Sequence, residues 1–322
     1  MGSSLLPTRA VPRFEPFPGL RYSLSHVRSL DDVVCPPYDV ISDAERLTLL
    51  QRSPSNIVRV ELPDDEGTGD RYEGAARLLS AWRDGGVLGR DPVPAFYGHR
   101  MSFTDDAGQA RQSVGVIGAL GLEPPGHGVL PHEETTPKAK SDRLQLLRAT
   151  RVNTSPIWAL ASAPGLAALC EPPPHPAEHA VDNDHVRHEC WPITDPSRIA
   201  AISELVGSQP VLIADGHHRY ETAVTYQAER GGTTGDHDLV MALVIELSEE
   251  HLTVQAIHRL LSGLPAGFDI HGALAEFFDL VPTGPPDRTI ASRMDEAGAL
   301  AVVTMAGTWL GRPRSSALGA AT

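Results

Sequence analysis

The clearest chemical signal in the sequence is the run Asp-Gly-His-His-Arg at positions 215–219. It follows residues 211–214, whose apolar side chains predict a short buried strand, and it leads into helical spacing up to Tyr226. The first turn of a helix carries N–H groups without intrahelical partners and a partial positive charge, so it attracts anions. Gly216 would let the backbone approach a ligand, and Arg219 could grip phosphate oxygens bidentately. The pattern predicts a phosphate-binding corner, and the plain alternative is a capped helix with Asp215 as N-cap and the histidines exposed.

The same run leaves two kinds of chemistry open. Asp215, at the carboxyl end of the predicted strand, could hold a magnesium ion or accept a proton from a substrate hydroxyl. His217 and Glu221 are four residues apart and would share a helix face, so with Asp215 and His132 they could instead complete a metal coordination sphere. The first arrangement suits a phosphotransferase, and the second suits a metal-dependent phosphoester hydrolase.

Further polar candidates lie between positions 123 and 153. Residues 123–140 are rich in Pro, Gly, His, Lys and Glu without periodicity, which predicts a functional loop. A helix predicted to begin near Ser141 carries Arg143 and Arg148, and either could contact ligand phosphate or form surface ion pairs. Asn153 could hydrogen-bond a ligand or simply form a turn.

Composition limits the possible partners. The chain has 322 residues with 27 Lys and Arg against 41 Asp and Glu, and its net charge of -14 argues against nucleic acid. No apolar run approaches the roughly 18 residues of a membrane span, so we expect no membrane partner. Three cysteines without a C-x-x-C pair favour a reducing cytoplasm. A Walker-type phosphate loop is absent from the sequence.

Apolar periodicity and turn signals predict an α/β chain with a mixed sheet. The helices are predicted from Ser42, over residues 72–82, from Ser141, from Pro196 and over residues 215–226. The strands are predicted over residues 57–62, 95–103, 113–122, 211–214, 239–247 and 300–305. The four prolines between positions 171 and 178 predict a linker at residues 171–180, between an N-terminal domain (1–170) and a C-terminal domain (181–322).

The chain resembles the family called domain of unknown function 1015. The resemblance rests on the run at 215–223 and on four further motifs in the same order: Pro-Pro-Tyr-Asp-Val-Ile (36–41), Pro-His-Glu (131–133), Asp-Arg-Leu leading into Arg-Ala-Thr-Arg (142–151) and Asn-Thr-Ser-Pro (153–156). Together they cover about residues 14 to 260. Glu134 departs from the pattern where a basic or imidazole side chain is expected, and family members generally run further at the C-terminus, so we expect a truncated terminal segment.

The resemblance also implies a fold and a chemistry. The family is distantly similar to the ParB and sulfiredoxin superfamily, which implies a core of that type, and to the free serine kinase, which has a similar Asp-Gly-His-His-Arg stretch. If that carries over, Gly216, His217, His218 and Arg219 cradle the phosphates of ATP or ADP, Mg²⁺ is a cofactor, and serine or a similar hydroxylated metabolite is the acceptor.

The catalytic roles implied in this way are assigned to carboxylates of the matched motifs. Glu133 and Asp39 are the candidate bases, although both could merely cap turns. His132 joins the predicted phosphate-binding set. Tyr38, Asn153 and Glu221 are the predicted substrate-binding residues. The leading hypothesis is a nucleotide-dependent small-molecule kinase, and the alternatives are the hydrolase and a non-catalytic ParB-like regulatory module.

Overall fold

A computed structural model describes residues 11–64, 69–105, 108–123, 127–131, 137–174, 178–248, 260–287 and 289–314, which form two compact units. The first unit comprises Met1–Phe103 and Arg111–Leu252, and the second comprises Thr104–Ala110 and Thr253–Thr322. The described helices are α1 (Asp43–Arg52), α2 (Val58–Glu61), α3 (Arg71–Asp84), α4 (Pro137–Thr150), α5 (Leu166–Leu169), α6 (Pro196–Gly207), α7 (His217–Glu229), α8 (Ile270–Ala275) and α9 (Ile290–Ala297).

The described strands are β1 (Phe14–Glu15), β2 (Leu20–Tyr22), β3 (Leu88–Arg90), β4 (Phe96–Thr104), β5 (Ala110–Gly121), β6 (Val129–Leu130), β7 (Ile157–Ala161), β8 (Glu178–Val181), β9 (Arg187–Ile193), β10 (Val211–Asp215), β11 (Leu239–Glu246), β12 (Phe278–Thr283), β13 (Leu300–Thr304) and β14 (Gly307–Pro313). Nine of them form one sheet in the order β6-β10-β7-β11-β5-β4-β9-β8, with β1 paired to β5. The pairs β6–β10 and β7–β11 are parallel, whereas β10–β7 and β11–β5 are antiparallel. The predicted α/β class with a mixed sheet is confirmed.

The main hydrophobic core lies between this sheet and helices α6 and α7. The inward positions of β7 alternate with outward ones, as a half-buried strand requires. The cluster includes Ile157, Ala159 and Ala161 of β7, Ile202 and Val206 of α6, and Tyr220 and Ala223 of α7. Burying an aliphatic side chain of this size stabilises the fold by about 1.5–3 kcal/mol. Helix α7, which begins with the His-His-Arg part of the run, is therefore fixed against the sheet.

A second apolar cluster fixes the helix that carries Arg143. Helix α4 packs against α3 on one side and α7 on the other. The buried members of the cluster are Val60, Ala75, Leu79, Trp82, Leu88 and Leu146. Because α4 packs against both helices, its described residues lie alongside α7.

One predicted strand is wrong. Residues 57–62 alternate like a strand, but Val58–Glu61 is a single helical turn in which Val58, Val60 and Glu61 are all buried. The side chain of Asn56 starts this turn, because its Oδ1 accepts from the Val58 N–H at 3.0 Å while its Nδ2 donates to the Asp32 and Val34 carbonyls. A six-residue alternation does not distinguish a strand from a short buried helix, and the local capping decides.

The division into units also differs from the predicted domains. Strand β7 precedes the predicted linker and β10 and β11 follow it, yet the three are hydrogen-bonded neighbours in one sheet. Strand β8 begins at Glu178, inside the predicted linker, and pairs with β9. The proline-rich segment therefore connects elements of the first unit.

The second unit contains an antiparallel sheet in the order β12-β14-β13. The strand predicted at residues 300–305 is confirmed as β13. Helix α8 contacts β12, and α9 contacts β13 and β14. Across the described residues of both units, no helix combines the length and apolar character needed to cross a membrane.

Candidate functional site

The candidate site is built around the turn between β10 and α7. Strand β10 ends at Asp215, and Gly216 then adopts φ 91° and ψ 26° as the N-cap of α7. A Cβ atom at Gly216 would lie 3.1 Å from the Ile157 Cα atom and 3.1 Å from Arg219 Nε. The left-handed conformation and the close approach both require glycine. The plain alternative of Asp215 as N-cap does not hold, since the cap is Gly216 and no side chain caps the helix.

Arg219 folds back over this turn. Its Nη2 donates to Asp215 Oδ2 at 2.7 Å, and its Nη1 donates to Ser155 Oγ at 3.2 Å and to the Pro156 carbonyl. The Arg219 side chain is 16 % exposed, whereas that of Asp215 is 59 % exposed. The guanidinium thus joins the end of β10 to the segment before β7, and Asp215 is the more accessible partner.

The other polar residues of the run are not equivalent. His217 is buried, and His218 and Glu221 are half-buried, each of them engaged in interactions of its own. Within the described ranges, no three His, Cys, Asp or Glu side chains are placed to share a metal ion. His132, Glu133 and Glu134 lie outside the described residues. The metal-dependent hydrolase therefore stays a prediction.

A small cleft opens beside Arg219, and we call it the Arg219 cleft. Its volume is about 50 Å³, enough for a few water molecules or one phosphoryl-sized group. It is lined by Tyr38, Glu61, Arg143, Leu146, Leu147, Val152, Asn153, Thr154, Ser155, Arg219 and Thr222. The corner is therefore not filled by neighbouring side chains.

Arg143 forms the opposite wall of the Arg219 cleft. It is buried, and its Nη1 lies 2.9 Å from Glu61 Oε2 while its Nη2 donates to the Glu61 carbonyl at 2.8 Å. Its Nε and Nη2 also donate to Asp142 Oδ2. The guanidinium carbon lies 4.2 Å from the centre of the Tyr38 ring. Arg143 thus donates four hydrogen bonds to Glu61 and Asp142, and these bonds hold this wall of the cleft in place.

Tyr38 stands on the shared wall of two clefts. Burial raises the pKa of its phenol, the neighbouring Asp39 adds to the rise, and Arg143 and Arg219 oppose it. The hydroxyl is consequently protonated at neutral pH and can donate a hydrogen bond. Asp39 itself is exposed in the turn before α1.

The second cleft lies on the other side of Tyr38 and Arg143, and we call it the Arg46 cleft. Its volume is about 290 Å³. It is lined by Tyr38, Ile41, Asp43, Arg46, Leu62, Pro63, Asp64, Arg71, Asp142 and Arg143. A ligand of small-metabolite size fits here, whereas the Arg219 cleft takes only a small group.

The structure places Asn153 and Arg148, two predicted ligand contacts, in different surroundings. Asn153 is exposed and lines the Arg219 cleft. Arg148 is exposed on α4 and pairs with Glu229 of α7, its Nε donating to Glu229 Oε2 at 3.0 Å. The structure thus brings Arg143, Asn153 and Arg219 together and directs Arg148 into a surface ion pair.

Sequence reasoning missed Glu61 and Thr222. In the strand predicted at residues 57–62, Glu61 is a polar position. No neighbouring residue in the sequence indicates its buried ion pair with Arg143. Thr222 is 3 % exposed, and its Oγ1 has no hydrogen-bond partner within the described part of the chain. Its position three residues after Arg219 places both on one face of α7, a spacing that could have identified it.

A family model described as Protein of unknown function (DUF1015) matches residues 14–316. Neither the curated proteins nor the solved structures contain a match to the chain.

Proposed function

Because the chain belongs to the DUF1015 family, as its motifs predicted, and the family description names no activity, we propose a function from the site itself: nucleotide-dependent phosphoryl transfer to a hydroxyl of a small metabolite. ATP or ADP gives up its terminal phosphoryl group, the acceptor hydroxyl oxygen forms the new P–O bond, and the hydroxyl proton passes to a carboxylate. The resemblance to the free serine kinase makes serine the first acceptor to test.

The observation that carries this proposal is the geometry at Gly216. A strand ends, a left-handed glycine turns the chain, and a thirteen-residue helix begins without a side-chain cap, with Arg219 against a cleft of phosphoryl size. Uncapped helix N-termini and guanidinium groups both favour phosphate oxygens. The corner supports a phosphate site in terms of shape, partial charge and available volume.

The paired charges at the corner suggest how a nucleotide would enter. Arg219 is held by Asp215, which is exposed and can move away from it. In our proposal a phosphate would replace Asp215 on Arg219, and the released carboxylate would be available to hold Mg²⁺. Carboxylate oxygens are the ligands that Mg²⁺ prefers, so Asp215 fits such a role. When bound, Mg²⁺ would offset the negative charge of the phosphates.

Asp39 and Glu133 remain the proposed bases. Asp39 follows Tyr38, which lines both clefts, and its exposed carboxylate can reach solvent. Glu133 lies outside the described residues. Turnover of Asp39→Asn and Glu133→Gln separates the two, because a base lost by isosteric substitution lowers kcat by about 10²–10⁴-fold.

The proposal is tested by nucleotide binding to the Arg219→Ala variant. We expect ATP and ADP, with Mg²⁺, to raise the melting temperature of the unchanged protein, since a ligand that prefers the native state stabilises it. Loss of the charged contact should cost about 1.5–3 kcal/mol, or roughly 10- to 150-fold in Kd by titration calorimetry. Arg77→Ala, which removes an exposed arginine on α3, is the matched control and should bind normally.

Unchanged affinity in Arg219→Ala would contradict the phosphate assignment. The melting temperature of the free variant shows whether it is folded, and Arg219→Lys, which keeps the charge but not the fork, should bind with intermediate affinity. Binding without turnover of any hydroxylated acceptor would instead identify a non-catalytic nucleotide-binding module.

A further inference from the structure

The Arg46 cleft has no role in the phosphate site, yet it is the larger of the two clefts. It is separated from the Arg219 cleft by the side chains that line both, Tyr38 and Arg143. A group bound in the Arg46 cleft is therefore shielded from the proposed phosphoryl position by these two side chains. The cleft is a separate binding site and not a place from which a hydroxyl could attack the phosphoryl group.

The charges that line the Arg46 cleft cancel. Arg46, Arg71 and Arg143 supply three positive charges, and Asp43, Asp64 and Asp142 supply three negative ones. Arg46 Nη2 lies 2.6 Å from Asp64 Oδ1, and Asp142 accepts from Arg71 at 2.9 Å and from Arg143 at 2.6 Å. An anionic ligand would have to displace these carboxylates from their arginines, so the cleft does not favour one.

Three polar groups of the Arg46 cleft remain available for a ligand. Arg46 donates to the Leu62 carbonyl and Asp64 through Nε and Nη2, which leaves both protons of its Nη1. Within the described residues, neither the Tyr38 hydroxyl nor the Asp43 carboxylate has a hydrogen-bond or salt-bridge partner. The free groups are thus a cationic donor, a phenol that donates and accepts, and an anionic acceptor.

Part of the wall is apolar. Ile41, Leu62 and Pro63 line the cleft next to these polar groups. Most small-molecule sites combine such apolar surface with a few polar groups that fix orientation. Here the polar groups include both donors and acceptors, which matches a molecule whose hydroxyls each do both.

We infer that the Arg46 cleft binds an uncharged polyhydroxylated molecule, a sugar or polyol. Its hydroxyls donate to Asp43 and accept from Arg46 Nη1 and the Tyr38 hydroxyl, while its C–H faces pack on the apolar wall. A zwitterion such as serine fits less well, because Asp64 already offsets the charge of the Arg46 guanidinium that its carboxylate would need. This inference does not rest on the proposed phosphoryl transfer.

The test measures binding to the full chain without nucleotide, by saturation-transfer NMR and calorimetric titration. The probes are glucose, ribose and myo-inositol, with serine as the zwitterion and glucose 6-phosphate as the dianion. We expect at least one neutral probe to bind at least tenfold more tightly than serine and than glucose 6-phosphate. If serine or the sugar phosphate binds more tightly than every neutral probe, or if no neutral probe binds, the inference is overturned.

Variants locate the binding. Asp43→Asn should weaken the neutral probe at least tenfold, since hydrogen bonds to charged groups are the stronger ones, and Tyr38→Phe should weaken it severalfold. Ser42 still caps α1 in Asp43→Asn, so this variant should fold. Asp236→Asn, the same substitution at an exposed site away from the cleft, should bind like the unchanged protein. Unchanged affinity in both cleft variants would place the ligand elsewhere.

The two proposals fail separately. ATP binding that depends on Arg219, without any binding of neutral probes, retains the phosphate site and removes the sugar or polyol site. Probe binding that depends on Asp43, without nucleotide binding, does the reverse.

Discussion

The carboxylate of Glu61 and the guanidinium of Arg143 form an ion pair of 2.9 Å, with side chains only 5 % and 6 % exposed. It joins α2 to α4 across 82 residues of sequence. Removing one partner of a buried pair leaves an uncompensated charge, which is costly because the remaining ion is not solvated. The pair therefore holds the wall between the two clefts.

We predict that Glu61→Gln lowers the free energy of unfolding by about 3 kcal/mol, the lower end of the range for a broken buried pair, because Asp142 still accepts from Arg143. Urea denaturation followed by circular dichroism measures this change. The substitution keeps the size of the side chain, so the loss reports the missing charge more than missing packing.

The double variant Glu61→Gln/Arg143→Met serves as the control for this interpretation. Removing both charges should recover much of the lost free energy of unfolding, since neither member of the buried pair is then left charged without the other. A double variant as unstable as the sum of the two single variants would show that the pairing is not what holds this wall.

The turn at Gly216 gives a second prediction. Gly216→Ala should lower the free energy of unfolding by about 1–2 kcal/mol for the left-handed conformation, and further because its Cβ would crowd Ile157 and Arg219 at 3.1 Å. Chemical denaturation measures the stability, and nucleotide titration measures the effect on the proposed site.

Gly165→Ala is a matched control for this crowding. Gly165 caps α5 with φ 93°, nearly the φ of Gly216, but a Cβ there would meet no atom within 4 Å. The two variants share the backbone strain and differ in the contacts. Equal losses of stability would show that Gly216 is required only for its conformation and not for close approach.

Sequence signals predicted the local structure correctly where it depends on residues that are close together in the chain. The helix predicted from Ser42 begins there, with the Ser42 side chain accepting from the Glu45 N–H at 3.3 Å, and the strand-to-helix turn at Gly216 lies where the glycine indicated. The conformation of residues 57–62 was predicted wrongly, because it depends on Asn56 and on partners far away in sequence. Spacing placed Arg143 on a helix, but only the tertiary structure shows that Glu61 neutralises it.

The same limit applies to the clefts. The motif around Tyr38 identified a conspicuous residue, yet its place between two clefts follows from packing of the Arg143 guanidinium on its ring. Asp43 and Arg46 lie in the helix predicted from Ser42, and that prediction does not distinguish them from its other polar residues. They line a cleft only because α1 is packed near Leu62 and Pro63.

A third prediction concerns acid stability and His99. Burial lowers the pKa of His99 to about 4 from its ordinary 6.5, with a smaller contribution from His188, whose ring stacks on it at 5.5 Å. Between pH 6.5 and pH 4, His99 therefore binds a proton in the unfolded chain but stays neutral in the folded chain. The contribution of neutral His99 to the free energy of unfolding is fully present above pH 6.5 and is lost as the pH falls from 6.5 through 4, by a total on the order of 3 kcal/mol.

Urea denaturation of the His99→Gln variant at pH 7 and at pH 4.5 tests this. The variant should lose less stability between the two pH values than the unchanged protein, since Gln does not titrate. His179→Gln, at an exposed position of β8, should leave the pH dependence as it is. If His99→Gln shows the full pH dependence, the acid sensitivity comes from other groups.

The last prediction concerns the Thr222 hydroxyl on the wall of the Arg219 cleft. A buried hydroxyl without a partner costs stability, about 1–3 kcal/mol, so Thr222→Val should keep or raise the free energy of unfolding of the ligand-free protein. If an oxygen of a bound phosphoryl group accepts a hydrogen bond from this hydroxyl, the same variant should bind nucleotide several times more weakly by calorimetric titration. Thr225→Val, which removes an exposed hydroxyl bonded to the Glu221 carbonyl at 2.8 Å, should leave binding unchanged. A Thr222→Val protein that is less stable but binds normally would show that the hydroxyl serves the fold and not the ligand.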